Sequence, residues 1–235
     1  VSRGTSWQSR RSIAARWHDR VMRIAVFGAT GETGLQLVDQ ALGRGWEVVA
    51  SARHEGALVA HGALSVVTGD PLDVGVARRV IEGCDATISV LGFRRHLRGP
   101  ATTTLYSDSA RTFVRAMDAS GCRRLIYTTS AGVELDDPSE LWPYKHIVKP
   151  VWLNGGYEDM RNAESIIRAS DLDWILVRPG RLTDGPATGR YEVSPRFRPE
   201  HANAISRADL AAFMLDQVAG DEWVHGTPTL GTPRG

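Results

Sequence analysis

A glycine-rich stretch, GATGETG at residues 28–34, constrains the fold of this chain more than any other feature of its sequence. The apolar run RIAVF precedes it and the helical pattern LQLVDQAL follows it, so a strand, a turn and a helix are predicted in direct succession. Gly28 allows a sharp turn out of the strand, Gly31 lets the backbone approach a ligand, and Gly34 permits close helix–strand packing. The free N–H groups at the start of the helix then face the position of a pyrophosphate. This arrangement predicts a dinucleotide-binding turn, in which we expect the cofactor to contact Gly28, Thr30, Gly31, Glu32, Thr33 and Gly34.

The rest of the chain alternates short apolar runs with longer helical patterns. Strands are predicted at 23–27, 47–52, 64–68, 86–91, 124–129 and 174–178, and helices at 33–43, 73–82, 103–120, 157–170 and 206–219. The apolar positions of the strands are nearly continuous, which is typical of strands that a parallel sheet buries on both faces. This succession predicts an α/β fold with one domain over residues 22–235, a doubly wound parallel sheet of the Rossmann type.

Three further strand ends carry residues suited to the same cofactor. Arg53 follows the second strand, where its guanidinium can bind the 2′-phosphate of NADP; the alternative is a solvated surface arginine. Asp70 follows the third strand and can meet the adenine amino group, and Leu91 and Gly92 flank the groove after the fourth strand. Because ligands bind beyond the carboxyl ends of the strands in such sheets, these positions predict one groove for NADP(H).

The end of the fifth strand and the helix beyond it supply candidates for catalysis. The run RRLIYTTSAG exposes Thr128, Thr129 and Ser130 at the carboxyl end of that strand. Tyr157 and Arg161 are four residues apart and share one face of the helix. A hydroxyl, a phenol and a cation beside a nicotinamide can move a proton at a carbonyl, so Ser130, Tyr157 and Arg161 are predicted to be catalytic. The alternative for Tyr157 is a ring that packs on the sheet.

Two segments, 131–156 and 179–204, are predicted to bind the substrate. The first segment is long, has no clear secondary structure and contains Trp142, Tyr144 and Trp152, features typical of a lid or a binding loop. Flat aromatic rings near a nicotinamide suit a planar conjugated acceptor such as a flavin, a quinone or a tetrapyrrole. The alternative is that the tryptophans anchor the loop to the core.

The composition argues against several other classes of protein. Two cysteines without C-x-x-C spacing and seven histidines without metal-ligand spacing predict no disulfide framework and no metal, and they suit a reducing cytoplasm. No apolar run approaches the ~20 residues of a membrane span. Residues 1–20 hold five arginines and one aspartate, so we expect a disordered basic leader over 1–21. The remainder has no basic surplus to bind nucleic acid, and the expected partner is a small-molecule substrate bound by a monomer or a homodimer.

These motifs together resemble those of the atypical short-chain dehydrogenase/reductase superfamily. The resemblance rests on GATGETG, on Asp70, on the Thr-Thr-Ser end of the fifth strand, and on ILVRPGRLTDGP at 175–186. Within the superfamily, the chain is most similar to the NmrA-like NAD(P)H-binding group that includes biliverdin-IXβ/flavin reductase. Two segments carry this closer resemblance: P-x-x-x-x-D-x-P-x-T-G-x-Y at 179–191 and IS-x-x-DLA-x-FML at 205–215.

The resemblance implies hydride transfer between NADP(H) and a small acceptor, with Ser130 close to the substrate. We also expect Thr129 and Pro179 to border the cofactor, and Arg181, which takes the position of a histidine in that group, to contact the substrate. Arg161 departs from the pattern, because catalytic members of the wider superfamily have a lysine four residues after the tyrosine. Two alternatives stay open: a non-catalytic NADP(H) sensor of the NmrA-like kind, and an isomerase or dehydratase of the same fold.

Overall fold

A computed structural model describes residues 21–92, 103–134 and 154–233 of the chain. Its elements are, in order, β1 (Arg23–Phe27), α1 (Glu32–Gly43), β2 (Glu47–Ala52), β3 (Leu64–Thr68), α2 (Val74–Ile81), β4 (Ala86–Ser89), α3 (Leu105–Ser120), β5 (Arg124–Thr128), α4 (Asn154–Arg168), β6 (Asp173–Pro179), β7 (Arg181–Thr183), β8 (Glu192–Ser194), β9 (Ala204–Ser206), α5 (Arg207–Asp216) and β10 (Thr229–Gly231). A short 3₁₀ turn, Ala131–Val133, follows β5. All the predicted strands and helices occur, with ends that differ by a few residues.

Within the described part of the chain, eight strands form one sheet in the order β3-β2-β1-β4-β5-β6-β10-β8, and a separate pair joins β7 to β9. The strands from β3 to β10 in that order are parallel, whereas β8 is antiparallel to β10. The chain moves outward from β1 first to one side and then to the other, so the strand order reverses between β1 and β4. Such a reversal leaves a crevice beyond the carboxyl ends of the strands. The prediction of a single-domain, doubly wound parallel sheet is confirmed.

Helices cover both faces of the sheet, and the side chains of β1 pack against helices on each face. Ile24 and Val26 are buried against α1 and α5, while Phe27 belongs to the cluster on the opposite face, which α2, α3 and α4 cover. There the ring of Phe27 lies 4.3 Å from that of Phe113, centroid to centroid. Burial of apolar side chains on both faces is the main stabilising term for such a sheet, and it explains the continuous apolar runs of the inner strands.

The outer parts of the sheet differ from the sequence-based expectation. β3 is an edge strand, and Val66 within it is 40% exposed, so the prediction that both of its faces are buried is wrong. Four strands, β7 to β10, were not predicted, because a strand of three residues is too short to show a periodic pattern. The segment expected to be a loop up to residue 156 ends earlier, since α4 already begins at Asn154.

A buried carboxylate fastens the segment 184–189 to the start of α5. Asp209 accepts hydrogen bonds from the backbone N–H groups of Thr188 (2.7 Å) and Gly189 (2.8 Å) and from the hydroxyls of Thr188 (3.0 Å) and Ser206 (2.9 Å). Ser206 is also the N-cap of α5, where its Oγ accepts from the N–H of Asp209. Burial would raise the pKa of Asp209, but the hydrogen bonds from Gly189, Ser206 and Thr188 outweigh it and lower that pKa.

Among the residues described, none of the helices combines the length and the apolar character that a membrane span requires.

Candidate active site

The glycine-rich turn has the geometry that its sequence predicts. Gly28 has a φ of +83°, and a Cβ at this position would lie 2.8 Å from the carbonyl group of Val90. A Cβ at Gly34 would overlap the backbone of Gly28 and Ala29, so α1 packs directly on the turn. The N–H of Gly31 donates to the carbonyl of Gly28 at 3.0 Å, which closes the turn. Gly31 is the N-cap of α1 and has no side chain to cap it, so the first N–H groups of the helix face the ligand position.

A cavity of about 230 Å³ opens at the carboxyl ends of β1, β4, β5 and β6. Six of the residues predicted from the sequence line it: Thr33, Leu91, Gly92, Thr129, Ser130 and Pro179. Most of the remaining lining is apolar, with contributions from Val90, Met160, Leu182 and Leu210. The cavity therefore combines apolar side chains with the hydroxyl groups of Thr33, Thr128, Thr129 and Ser130.

Ser130 and Tyr157 both lie against Gly132 in the 3₁₀ turn that follows β5. Ser130 is the N-cap of this turn, and its Oγ accepts a hydrogen bond from the N–H of Gly132 at 3.2 Å. The phenol of Tyr157 lies directly on Gly132, where a Cβ would overlap it. Ser130 and Tyr157 thus share one turn, although they are 27 positions apart in the chain; Ser130 lines the cavity, whereas the half-buried Tyr157 is not part of its lining.

A buried ion pair lies directly beneath this turn. The Arg178 guanidinium forms a two-pronged contact with Glu164, with Nε–Oε1 at 2.9 Å and Nη2–Oε2 at 2.6 Å. Its remaining nitrogen donates to Glu134 at 3.3 Å, and Glu134 accepts from Arg196 at 3.2 Å. The hydroxyl of Thr129 donates to Glu164 at 2.8 Å. Because Thr129 precedes the 3₁₀ turn and Glu134 follows it, the network holds both ends of the turn.

Each buried charge of this network is paired with an opposite charge. Burial would raise the pKa of Glu134, but its contacts with Arg196 and Arg178 outweigh this and lower that pKa. Glu164 and Arg178 are both less than 10% exposed, and a buried charge is tolerated in such a place only when it is paired and hydrogen-bonded. A fully paired network of this kind fixes the directions of its planar groups.

The strand order, the glycine turn and the cavity at the switch point together specify a dinucleotide site, and comparison with known proteins agrees. The family described as NAD(P)H-binding matches residues 28–221. The chain belongs to the NAD(P)H-binding family. Its relatives and structural neighbours include atypical short-chain dehydrogenases/reductases and NmrA-like reductases, as the sequence motifs predicted.

Three known proteins illustrate the likeness. The Bacillus subtilis protein named uncharacterized sugar epimerase YhfK is 26% identical over 204 residues, which cover 83% of this chain and 86% of that protein. The structure of ChuY, called an anaerobilin reductase from Escherichia coli O157:H7, is 25% identical with a TM-score of 0.74, covering 91% of this chain and 98% of that chain. A Veillonella parvula short-chain dehydrogenase/reductase in complex with NADP has a TM-score of 0.76 at 16% identity, covering 91% and 96% of the two chains.

Other predicted site residues of this NAD(P)H-binding protein lie outside the cavity lining. Arg53 is exposed just beyond β2, and Asp70 is exposed with its Oδ1 accepting from the N–H of Leu72 at 2.9 Å, so it shapes a turn. Arg181 is exposed on β7, and its backbone N–H donates to the carbonyl of Asn203. Arg161 lies one helical turn after Tyr157 and is partly buried. The predicted aromatic residues of the substrate loop lie outside the described residues: Trp142, Tyr144 and Trp152.

The sequence reasoning missed the residues that support the site. Glu164 lies seven positions after Tyr157, which places it on the same helical face, and Arg178 ends a buried apolar run within ILVRPG. The sequence could therefore have drawn attention to both positions, because a charged residue in a buried run is rarely buried without a partner. The sequence could not show that Glu164 and Arg178 pair with each other, since they are fourteen positions apart and belong to different elements.

The described residues offer no centre for a metal or for thiol chemistry. Across 21–92, 103–134 and 154–233, no group of three or more His, Cys, Asp or Glu residues could hold an ion. Cys84 and Cys122 are free and buried, and burial is the main cause that raises their pKa values to about 12 and about 11. Both thiols are therefore protonated, and unreactive, at neutral pH.

Proposed function

We propose that this protein is an NADP(H)-dependent reductase that transfers a hydride to a small, planar, conjugated acceptor. The observation that carries the proposal is the cavity at the carboxyl ends of the strands, which is lined by Thr33 of the glycine-rich turn and by Ser130, with the Tyr157 phenol on the adjoining 3₁₀ turn. NAD(P)H-binding is a property of the family, and a cavity that combines apolar side chains with hydroxyl groups suits a stacked acceptor that needs both orientation and a proton.

The positions of the side chains indicate a role for each group in the proposed reaction. When bound, the nicotinamide supplies the hydride. The first turn of α1 would hold the phosphates through its N–H groups, and the apolar wall around Leu91, Pro179 and Leu182 would exclude water from the reacting face. Reduction of a conjugated acceptor also requires one proton at an oxygen or nitrogen atom. Ser130, which lines the cavity, and Tyr157, whose phenol lies on the adjoining turn, are the groups that we propose to donate it, each then regaining a proton from solvent.

The acceptor class is supported by two separate observations. The described part of the cavity is lined mostly by apolar residues, which favours a flat hydrophobic ligand over a sugar or a small polar acid. In addition, ChuY, a structural neighbour of this chain, is called an anaerobilin reductase. We propose flavins, quinones and tetrapyrrole-like molecules as the substrates to test first.

The decisive experiment is single-turnover oxidation of NADPH, followed by nicotinamide absorbance, with excess protein and a panel of flavins, quinones, linear tetrapyrroles and aldehydes. We expect Ser130→Ala to slow the best reaction most. Tyr157→Phe comes second, with a loss of up to ~10²-fold where the phenol donates the proton. Arg161→Ala tests whether the cation supports the phenol. Cofactor affinity is expected to stay within about threefold of wild type, because the phosphates are held elsewhere.

Two substitutions of the same chemistry serve as controls. Tyr191→Phe removes the hydroxyl of a phenol that packs against Phe213, with its ring 6.0 Å away, and Ser170→Ala removes a hydroxyl bonded to the carbonyl of Ile167. Neither side chain lines the cavity, and each contacts residues away from the 3₁₀ turn on which Tyr157 lies, so both variants should turn over like wild type. Equal losses in the controls and the site variants would remove Ser130 and Tyr157 from the mechanism.

One feature favours a second function, that of a non-catalytic NADP(H) sensor. Arg161 stands where a catalytic short-chain reductase of the resembled type has lysine, and a guanidinium has a different donor geometry from an ammonium group. A wild-type protein that binds NADPH tightly and yet reduces no member of the panel would overturn the reductase and leave the sensor standing.

A further inference from the structure

The phosphate-binding turn of this protein carries a negative charge of its own. Glu32 is the first residue of α1, in the turn whose N–H groups would hold a pyrophosphate, and its side chain is 64% exposed. A carboxylate is a good partner for the positive end of a helix dipole when no ligand is bound. The same carboxylate repels a pyrophosphate that binds at this turn, and the repulsion grows where the bound ligand displaces the water that screens the two charges.

Arg207, the first residue of α5, provides the opposite charge. Its Nη2 lies 2.8 Å from Glu32 Oε2, and its Nη1 lies 2.7 Å from Asp184 Oδ1. The side chain of Arg207 is 20% exposed, whereas that of Asp184 is 89% exposed. The guanidinium is therefore held by the protein, while the carboxylates of Asp184 and Glu32 are largely in solvent. The stem of Arg207 is held at a helix start whose N-cap, Ser206, bonds to Asp209.

This ion pair contributes little to the stability of the fold, because exposed carboxylates are strongly screened by water. Its position is more informative, since it joins the phosphate-binding turn to the segment 184–189. We propose that Arg207 is a positioning residue for the cofactor phosphates, which neutralises Glu32 so that the turn can accept a pyrophosphate. The role concerns binding of NAD(P)H alone, and it goes beyond the proposed reductase activity.

A double-mutant cycle measured by isothermal titration calorimetry tests this assignment with no acceptor present. Arg207→Met should weaken NADP⁺ binding about tenfold, because it leaves Glu32 unpaired beside the pyrophosphate. Glu32→Gln should tighten binding about threefold. In the Glu32→Gln background, Arg207→Met should cost less than about threefold, because there is no carboxylate left to neutralise.

NAD⁺ and Arg53 provide the second arm of the experiment. Both dinucleotides contain the pyrophosphate, so Arg207→Met should weaken NAD⁺ and NADP⁺ by the same factor. Arg53→Ala should weaken NADP⁺ alone, because only NADP⁺ has the 2′-phosphate. A loss confined to NADP⁺ in Arg207→Met would overturn the proposal, since it would place Arg207 at the 2′-phosphate.

The matched control lies at the other end of the same helix pair. Arg44 Nη1 contacts Asp216 at 2.8 Å and links the end of α1 to the end of α5, far from the turn. Arg44→Met should leave both affinities unchanged. The proposal is overturned if Arg44→Met weakens binding as much as Arg207→Met does, or if Arg207→Met leaves binding unchanged. It is also overturned if Arg207→Met costs as much in the Glu32→Gln background as in the wild-type background. These outcomes do not depend on turnover, so failure of the reductase proposal would leave the assignment intact.

Discussion

At the scale of single residues, Arg53 is expected to set the choice between NADP(H) and NAD(H). It is exposed just beyond β2 and is available for a bidentate contact with a 2′-phosphate. Such a charged hydrogen bond is worth ~1.5–3 kcal/mol, so wild type should bind NADPH at least tenfold more tightly than NADH. Arg53→Ala should abolish the difference, while Arg115→Ala, at an exposed position on α3, should preserve it. Equal wild-type affinities for the two cofactors would contradict the prediction.

Gly132 is the residue on which the position of the Tyr157 phenol depends. In Gly132→Ala the new Cβ would overlap the phenol, and the ring, being the end of a side chain, would have to move from its place on the turn. We expect the free energy of unfolding in urea to fall by less than about 1 kcal/mol, while single-turnover reduction falls towards that of Tyr157→Phe. The control is Gly43→Ala, because a Cβ at Gly43 meets nothing within 4 Å. Wild-type turnover in Gly132→Ala would show that the phenol is not needed where it lies.

At the scale of elements, Asp209 fastens the segment 184–189 to α5, and this makes part of the stability depend on pH. Its pKa is lowered in the folded protein, so the carboxylate stabilises the fold fully above about pH 5 and progressively less as pH falls through the lowered value. Asp209→Asn should cost ~1–3 kcal/mol at neutral pH, and its stability should fall less steeply in acid than that of wild type.

Urea unfolding at a series of pH values measures both effects. Asp39→Asn, on an exposed face of α1, is the control and should follow the wild-type curve. An acid response in Asp209→Asn as steep as that of wild type would assign the pH dependence to other carboxylates, among which Glu134 also has a lowered pKa.

At the scale of the whole molecule, the domain should fold and bind its cofactor without the first twenty-one residues. Met22 is 3% exposed and β1 begins at the next residue, so the described core starts there. Residues 1–20 carry five arginines and one aspartate and show no periodic apolar face. We expect a chain that begins at Met22 to keep the melting temperature and the NADPH affinity of the full chain. A large loss in either quantity would show that this basic segment docks on the domain.

The sequence by itself determined the inner strands and the helices of this protein and the edge of the sheet at which a ligand is expected to bind. The glycine turn, the inner strands and the helices were readable because their signals are local: backbone freedom at Gly28 and Gly34, continuous apolar runs, and helical periodicity. The position of a binding groove followed, since the carboxyl ends of parallel strands share one edge.

Only the tertiary structure decided how the site is supported. Three contacts each join residues from separate elements: Arg178 with Glu164, Tyr157 with Gly132, and Arg207 with Glu32. The exposure of β3 is likewise a consequence of its place at the edge of the sheet. These contacts leave no periodic trace in the sequence, because each depends on the distance between elements after packing, whereas sequence patterns report which face of one element is buried.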